Sequence, residues 1–262
     1  MSRDILTRPA PPPDHTTRYG PHPEQVVDLR LPPDPSGTLV VLVHGGFWRA
    51  EYDRTHLGPL ADALSRAGHP VAVPEYRRTG SPGGGWPGTF DDISVFVEAL
   101  GTICAARGIR PTRTVLVGHS AGGHLALWAA ARHRLPADSP WRSGWRPDGV
   151  VALAACSSLD LCDALELDDN AAAALLGGGA EQVPERYALA DPVALLPLGV
   201  PVTLLHGAED VTVPPVMSRE YAARAERAGD PVKLVELPEL EHFALIDPLS
   251  SAWPYLLAAI DN

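Results

Sequence analysis

Val115-Leu116-Val117-Gly118-His119-Ser120-Ala121-Gly122-Gly123 is an apolar run that breaks at Gly118 and restarts in an alanine-rich stretch. The run predicts a buried strand feeding a sharp turn and then a helix. Within it, Gly118-His119-Ser120-Ala121-Gly122 fits the G-x-S-x-G pattern, in which a strained strand-to-helix turn lifts a serine hydroxyl above a sheet. Glycines flank the serine because such a turn brings backbone against backbone, where a Cβ would clash. Ala121 opens the helix, so its N–H faces whatever Ser120 attacks, at the positive end of the helix dipole. An ordinary strand-turn-helix satisfies the same five residues, so the flanking sequence decides between the two.

The chain around this turn has 262 residues, 45% of them apolar and 20% charged. That is the composition of a globular α/β domain with enough length for a substantial core. Residues 1–24 read as a proline-rich N-terminal arm, extended on the surface over 8–23, and 25–262 as a single domain. A net charge of −11 disfavours nucleic acid and anionic membrane surfaces as partners. No apolar run is long enough to span a bilayer, and the first residues lack the apolar core of a signal peptide. The expectation is a cytoplasmic protein acting on a small molecule, without nucleic-acid or membrane partners. Cys104, Cys156 and Cys162 form no C-x-x-C or zinc spacing, so reduced thiols, no metal and no cofactor are expected. Nothing in the sequence fixes the oligomeric state, and a homodimer is compatible with it.

Upstream of the turn, residues 25–31 alternate like a half-buried strand, and Thr38–Val43 is an apolar run ending at His44-Gly45-Gly46-Phe47-Trp48. Two glycines at the carboxyl end of a buried strand let loop backbone turn its N–H groups toward a ligand. Residues 56–67 carry helical spacing and stop at Gly68; Val71-Ala72-Val73 is a short strand, followed by Glu75-Tyr76-Arg77-Arg78. The glycine-rich stretch 80–88 has no phosphate-loop spacing. Thr89 and Asp92 are spaced like a capping pair at the start of a long helix.

Taken together, His44-Gly45-Gly46-Phe47-Trp48, Glu75-Tyr76-Arg77-Arg78 and Gly118-His119-Ser120-Ala121-Gly122 resemble the α/β-hydrolase superfamily. Within it, the chain is similar to the branch of hormone-sensitive-lipase-like carboxylesterases and kynurenine formamidases (arylformamidases). Esterases of that branch usually carry a third glycine where this chain has Phe47, whereas the formamidases carry an aromatic followed by tryptophan, so the motif leans to the formamidase side. The resemblance implies the α/β-hydrolase fold: a mostly parallel central sheet with helices on both faces and a small cap insertion, here 157–190. It also implies an oxyanion hole from the backbone N–H groups of Gly46, Phe47 and Ala121.

Downstream, residues 122–133 are apolar nearly all round, as a central helix requires, and His124 within them reads as structural. Asp210 follows the strand 202–205 in a His206-Gly207-Ala208-Glu209-Asp210 turn, where the family places the acid of its triad. Glu209 and Asp160 are weaker competitors for that role. His242 follows the last strand, 232–237, with Phe243 beside it, and matches the family's catalytic histidine. The order Ser120, Asp210, His242 is that of α/β-hydrolases and differs from the chymotrypsin and subtilisin orders. Trp48, Trp86 and Phe243 are candidate substrate-binding aromatics, each of which reads equally well as core. The expected activity is serine hydrolysis of a small carboxylic ester or aryl formamide through an acyl-enzyme on Ser120. The alternatives are an acyltransferase or biosynthetic thioesterase using the same triad, or a non-catalytic ligand receptor.

Overall fold

Eight apolar or alternating runs become the strands of one sheet in a computed structural model that describes residues 3–262. They are β1 (His15–Arg18), β2 (Val26–Arg30), β3 (Thr38–Val43), β4 (Val71–Pro74), β5 (Arg113–His119), β6 (Gly149–Leu153), β7 (Val202–Gly207) and β8 (Val232–Leu237). Their order across the sheet is β1-β2-β4-β3-β5-β6-β7-β8. The pairs β1–β2 and β2–β4 are antiparallel and the rest parallel, with β5 at the centre, in register with β3 (Val40 opposite Val115) and β6 (Val115 opposite Gly149). Parallel strands covered on both faces must be apolar on both, which is why β3, β5 and β6 read as continuous Val/Leu runs.

Alternation along β3 divides the core. Leu39, Val41 and Val43 pack with α2 (Gly88–Ala106), α3 (Ala121–Ala131) and α7 (Val216–Ala228), while Val40 and Leu42 pack with α1 (Gly58–Arg66) and α8 (Trp253–Asp261). All eleven residues of α3 are buried, so this helix has no polar stripe and anchors the turn at its start. After β6 the chain leaves the sheet for a cap of three short helices, α4 (Leu159–Ala164), α5 (Leu167–Leu176) and α6 (Pro184–Ala190), and returns at β7. Among the described residues no helix is long and apolar enough to cross a membrane.

Two expectations change. The N-terminal arm is partly built into the fold: β1 extends the sheet edge, Ile5 is 1% exposed in the core beside α1, and the Arg8 guanidinium grips Asp247 at 2.6 and 2.8 Å. Four polar residues make β1, so no apolar period announces it. Thr89 and Asp92 do not cap α2. Thr89 Oγ1 donates to the Arg77 carbonyl at 2.6 Å, and the buried Asp92 carboxylate accepts from Arg77 Nη2 and Gln25 Nε2, each at 2.7 Å.

Candidate active site

Ser120 stands between β5 and α3 at φ 56° and ψ −121°, a left-handed conformation that costs a non-glycine residue on the order of 1–3 kcal/mol. The turn is held by its neighbours on the sheet. The Ser120 N–H donates to Leu153 O at 2.8 Å, and its carbonyl accepts from Cys156 N at 3.1 Å and Gly123 N at 2.9 Å. Close packing explains the motif's second glycine, since a methyl on Gly122 would lie 2.2 Å from Val43 O.

His242 and Asp210 meet across the ends of β7 and β8. The His242 Nδ1–H donates to Asp210 Oδ2 at 2.6 Å, which leaves Nε2 as the lone-pair nitrogen. Asp210 Oδ1 accepts from the N–H groups of Thr212 and Val213, both at 2.8 Å, and His206 lies 3.4 Å from Oδ2. Burial by itself would raise this carboxyl; the hydrogen bonds from His206, His242 and Val213 outweigh it and hold the group well below the usual carboxylate range. Asp210 is therefore a fixed anion behind the imidazole. On the other side, His119 donates from Nε2 to the His242 carbonyl at 3.1 Å and packs 4.5 Å from its ring. Burial, with His242 adding to it, pushes His119 well below its ordinary value, so that ring is neutral.

The loop after β3 supplies the third part. Gly46, Phe47 and Trp48 have φ of 104°, 47° and 56°, a left-handed run that turns successive N–H groups to one side. The N–H groups of Gly46, Phe47 and Ala121 donate to no acceptor among the described residues. Beneath the loop, His44 Nε2 donates to Glu75 Oε1 at 2.8 Å, its Nδ1 faces Gly45 O at 2.9 Å, and Tyr76 OH donates to His44 O at 2.8 Å. Burial opposes ionisation of Glu75, yet His44, Arg78 and the Arg54 N–H bring its carboxyl down to about 2.

Ser120, His242, Gly46, Phe47, His119 and Phe243 line one cavity of about 80 Å³. A hydroxyl, a nitrogen base backed by an anion, and unpaired N–H donors around one small volume are the parts required for attack on a carbonyl carbon. The structure pairs His242 with Asp210; Glu209 and Asp160 are exposed, and Asp160 uses its N–H on Asp191.

Of the three candidate aromatics, Phe243 lines the cavity and the two tryptophans do not. Trp48 is fully buried, its Nε1 donating to His124 Nδ1 at 3.2 Å, while His124 donates to Ala190 O at 3.0 Å. Trp86 packs edge-on to Phe90 and Trp141, 5.4 and 4.9 Å away. Trp48 therefore belongs to the core below the cap and the half-buried Trp86 packs against that core, so neither forms the cavity wall. Sequence reasoning missed Arg3, Leu6, Tyr52, His56, Asp168 and Thr212 on that wall. They come from the N-terminal turn, two loops and the cap, and no local pattern links them. The one available signal was adjacency for Thr212, two residues past Asp210.

A family model described as BD-FAE matches residues 27–224. The chain is 27% identical over 231 residues to a probable carboxylic ester hydrolase, LipM, of Mycobacterium tuberculosis, an alignment that takes in 84% of this chain and 52% of that protein. It thus spans about half the length of the curated relatives it matches. Among solved structures, esterase B from Lactobacillus rhamnosis superposes with a TM-score of 0.77 at 21% identity, covering 98% of this chain and 89% of the other. A putative thioesterase from Silicibacter sp. TM1040 superposes with a TM-score of 0.69 at 28% identity, covering 95% and 86%.

Proposed function

The chain belongs to the BD-FAE family, and from that premise we propose that it is a serine hydrolase cleaving a short-acyl carboxylic ester of a small molecule. The observation that carries this reading is the Ser120 turn at φ 56° opening on the same cavity as a His242 imidazole bound to Asp210 at 2.6 Å. Ser120 Oγ attacks the carbonyl carbon and passes its proton to His242 Nε2. The oxyanion forms against the N–H groups of Gly46, Phe47 and Ala121. Collapse expels the alcohol, which takes the proton from His242, and leaves an acyl group on Ser120. Water then enters by the same route and gives its proton to His242, which passes it to Ser120 Oγ as the acyl–oxygen bond breaks and the acid leaves. Relatives named as ester hydrolases support the substrate class. An aryl formamide is the second reading, supported by a cavity of about 80 Å³ whose aromatic walls suit a formyl group on an aryl amine.

The test compares p-nitrophenyl acetate and N-formyl-L-kynurenine with wild-type protein and Ser120→Ala. Loss of a nucleophile is expected to lower kcat by at least about 10⁴-fold with the fold intact by circular dichroism. An undiminished rate in Ser120→Ala rejects the assignment. A kcat/KM for the formamide above about 10⁴ M⁻¹s⁻¹, inside the ordinary enzymatic range, favours the second reading over the first.

A further inference from the structure

One wall of the cavity plays no part in the steps above. Arg3 belongs to a single turn of 3-10 helix, Arg3–Leu6, and its guanidinium carbon sits 5.5 Å from the centroid of the Phe243 ring. The Phe243 ring in turn lies 5.0 Å from that of His242, so the cation is two ring contacts from the imidazole. Ile5 is buried and Leu6 faces the cavity, while Arg8 is clamped on Asp247; the turn carrying Arg3 is thus seated in the fold. The other charged side chain on the wall, Asp168, is already neutralised: its Oδ2 accepts from Arg49 Nε at 2.5 Å and its carbonyl from Arg49 Nη2. Among the described residues no carboxylate pairs with the Arg3 guanidinium. On a chain of net charge −11, an uncompensated cation stands at the site's mouth.

We propose that Arg3 is a specificity-determining residue that recognises an anionic group, a carboxylate, on the part of the substrate left outside the cavity; this deepens the serine-hydrolase reading and rests on it. A guanidinium offers a planar fork of donors that matches a carboxylate, and the face of Phe243 holds it in place. A cavity of about 80 Å³ has room for a short acyl group, and Arg3, on its lining with Phe47 and Phe243, is within reach of the part of the substrate that projects from it. The substrate class that follows is a short-acyl ester or formamide whose leaving group carries a carboxylate a few bonds from the scissile carbonyl.

The test uses the full chain with 3- and 4-acetoxybenzoate as anionic substrates and 4-acetoxybenzamide as the neutral match. Arg3→Gln is expected to lower the anionic-to-neutral ratio of kcat/KM about fivefold, through KM, since a partly exposed ion pair is worth up to about that factor. Arg3→Lys should keep part of the ratio and Arg3→Glu should push it below that of Arg3→Gln. A ratio unchanged in Arg3→Gln, including a parallel fall for both substrates, overturns the proposal. A second arm does not depend on turnover: 3-hydroxybenzoate is titrated by NMR into Ser120→Ala, and into the same protein also carrying Arg3→Gln. Weaker binding in the double variant supports the role, and equal binding overturns it. If the wild type cleaves none of the three acetates and Ser120 resists a fluorophosphonate, the hydrolase reading fails, and the titration still decides Arg3.

Discussion

A carboxylate that accepts from two backbone N–H groups and an imidazole cannot follow a moving base; it can only hold one still. Asp210 is in that position, with Thr212 and Val213 on Oδ1 and His242 on Oδ2. Its depressed carboxyl stays ionised well below neutrality, so in the proposed mechanism Asp210 supplies charge and orientation throughout the neutral range. Asp210→Asn keeps the shape and removes the charge. It also offers an NH₂ where an acceptor stood, which favours the imidazole tautomer with its proton on the side facing Ser120. The expected result is a fall in kcat of about 10³–10⁴-fold with KM within a factor of a few, measured on p-nitrophenyl acetate. A loss below about tenfold would mean that His242 finds its tautomer without Asp210. The paired aromatics teach the converse lesson at the same scale. Trp48 and Trp86 read alike from the sequence as wall or core, because an indole has the same neighbours in the chain in either case; the geometry puts Trp48 in the core and Trp86 against it.

Among the elements, β3 to β7 were legible because parallel strands buried on both faces leave unbroken apolar runs, and the turn after β5 was legible because only small residues fit there. The edge strand β1 was not, since four polar residues pairing with β2 carry no hydrophobic signal. The cavity mouth was not either: Arg3 and Asp168 face one space although they lie 165 residues apart in the chain, joined by tertiary structure alone. Between these extremes lies the Glu75-Tyr76-Arg77-Arg78 stretch, visible as a motif but silent about its purpose. The structure places Glu75 and Tyr76 under the loop after β3, gripping His44 from both sides. In the proposed mechanism that grip would make Glu75 a positioning residue, acting through His44 on the loop that carries the Gly46 and Phe47 N–H groups. Glu75→Gln takes the charged acceptor from His44 Nε2 and one of the two carboxylates beside Arg78, and is expected to destabilise the fold by about 3 kcal/mol. In the protein that remains folded, kcat should fall about tenfold with KM nearly unchanged, because displaced oxyanion donors act on the transition state. A loss of stability with kcat intact would limit Glu75 to a structural role.

The whole molecule couples its stability to protons through groups that the sheet and its helices bury. Burial lowers His56 and His124 to about 4 and His119 well below the ordinary 6.5, so all three are neutral in the folded protein. The unfolded chain protonates each near 6.5, so between there and pH 4 the unfolded state holds more protons and stability falls as the pH drops. Asp191 acts in the opposite sense. Burial raises its carboxyl from 3.8 to about 6, so on acidification the folded state takes up a proton that the unfolded state does not, and stability rises by that amount. Three histidines against one carboxyl leave a net uptake of about two protons on unfolding near pH 5, a slope of roughly 3 kcal/mol per pH unit. Below about pH 4.5, Glu75, whose folded carboxyl titrates at about 2, adds to the loss. Above about pH 7.5 the histidines contribute almost no slope and the cost of the ionised Asp191 is constant. Urea unfolding should therefore give nearly constant stability from pH 8 to 7 and a steep decline from 6.5 to 5. Stability that holds level down to pH 5 would mean that these three imidazoles reach water, and with it that the packing of His119 against His242 is looser than a 4.5 Å ring contact.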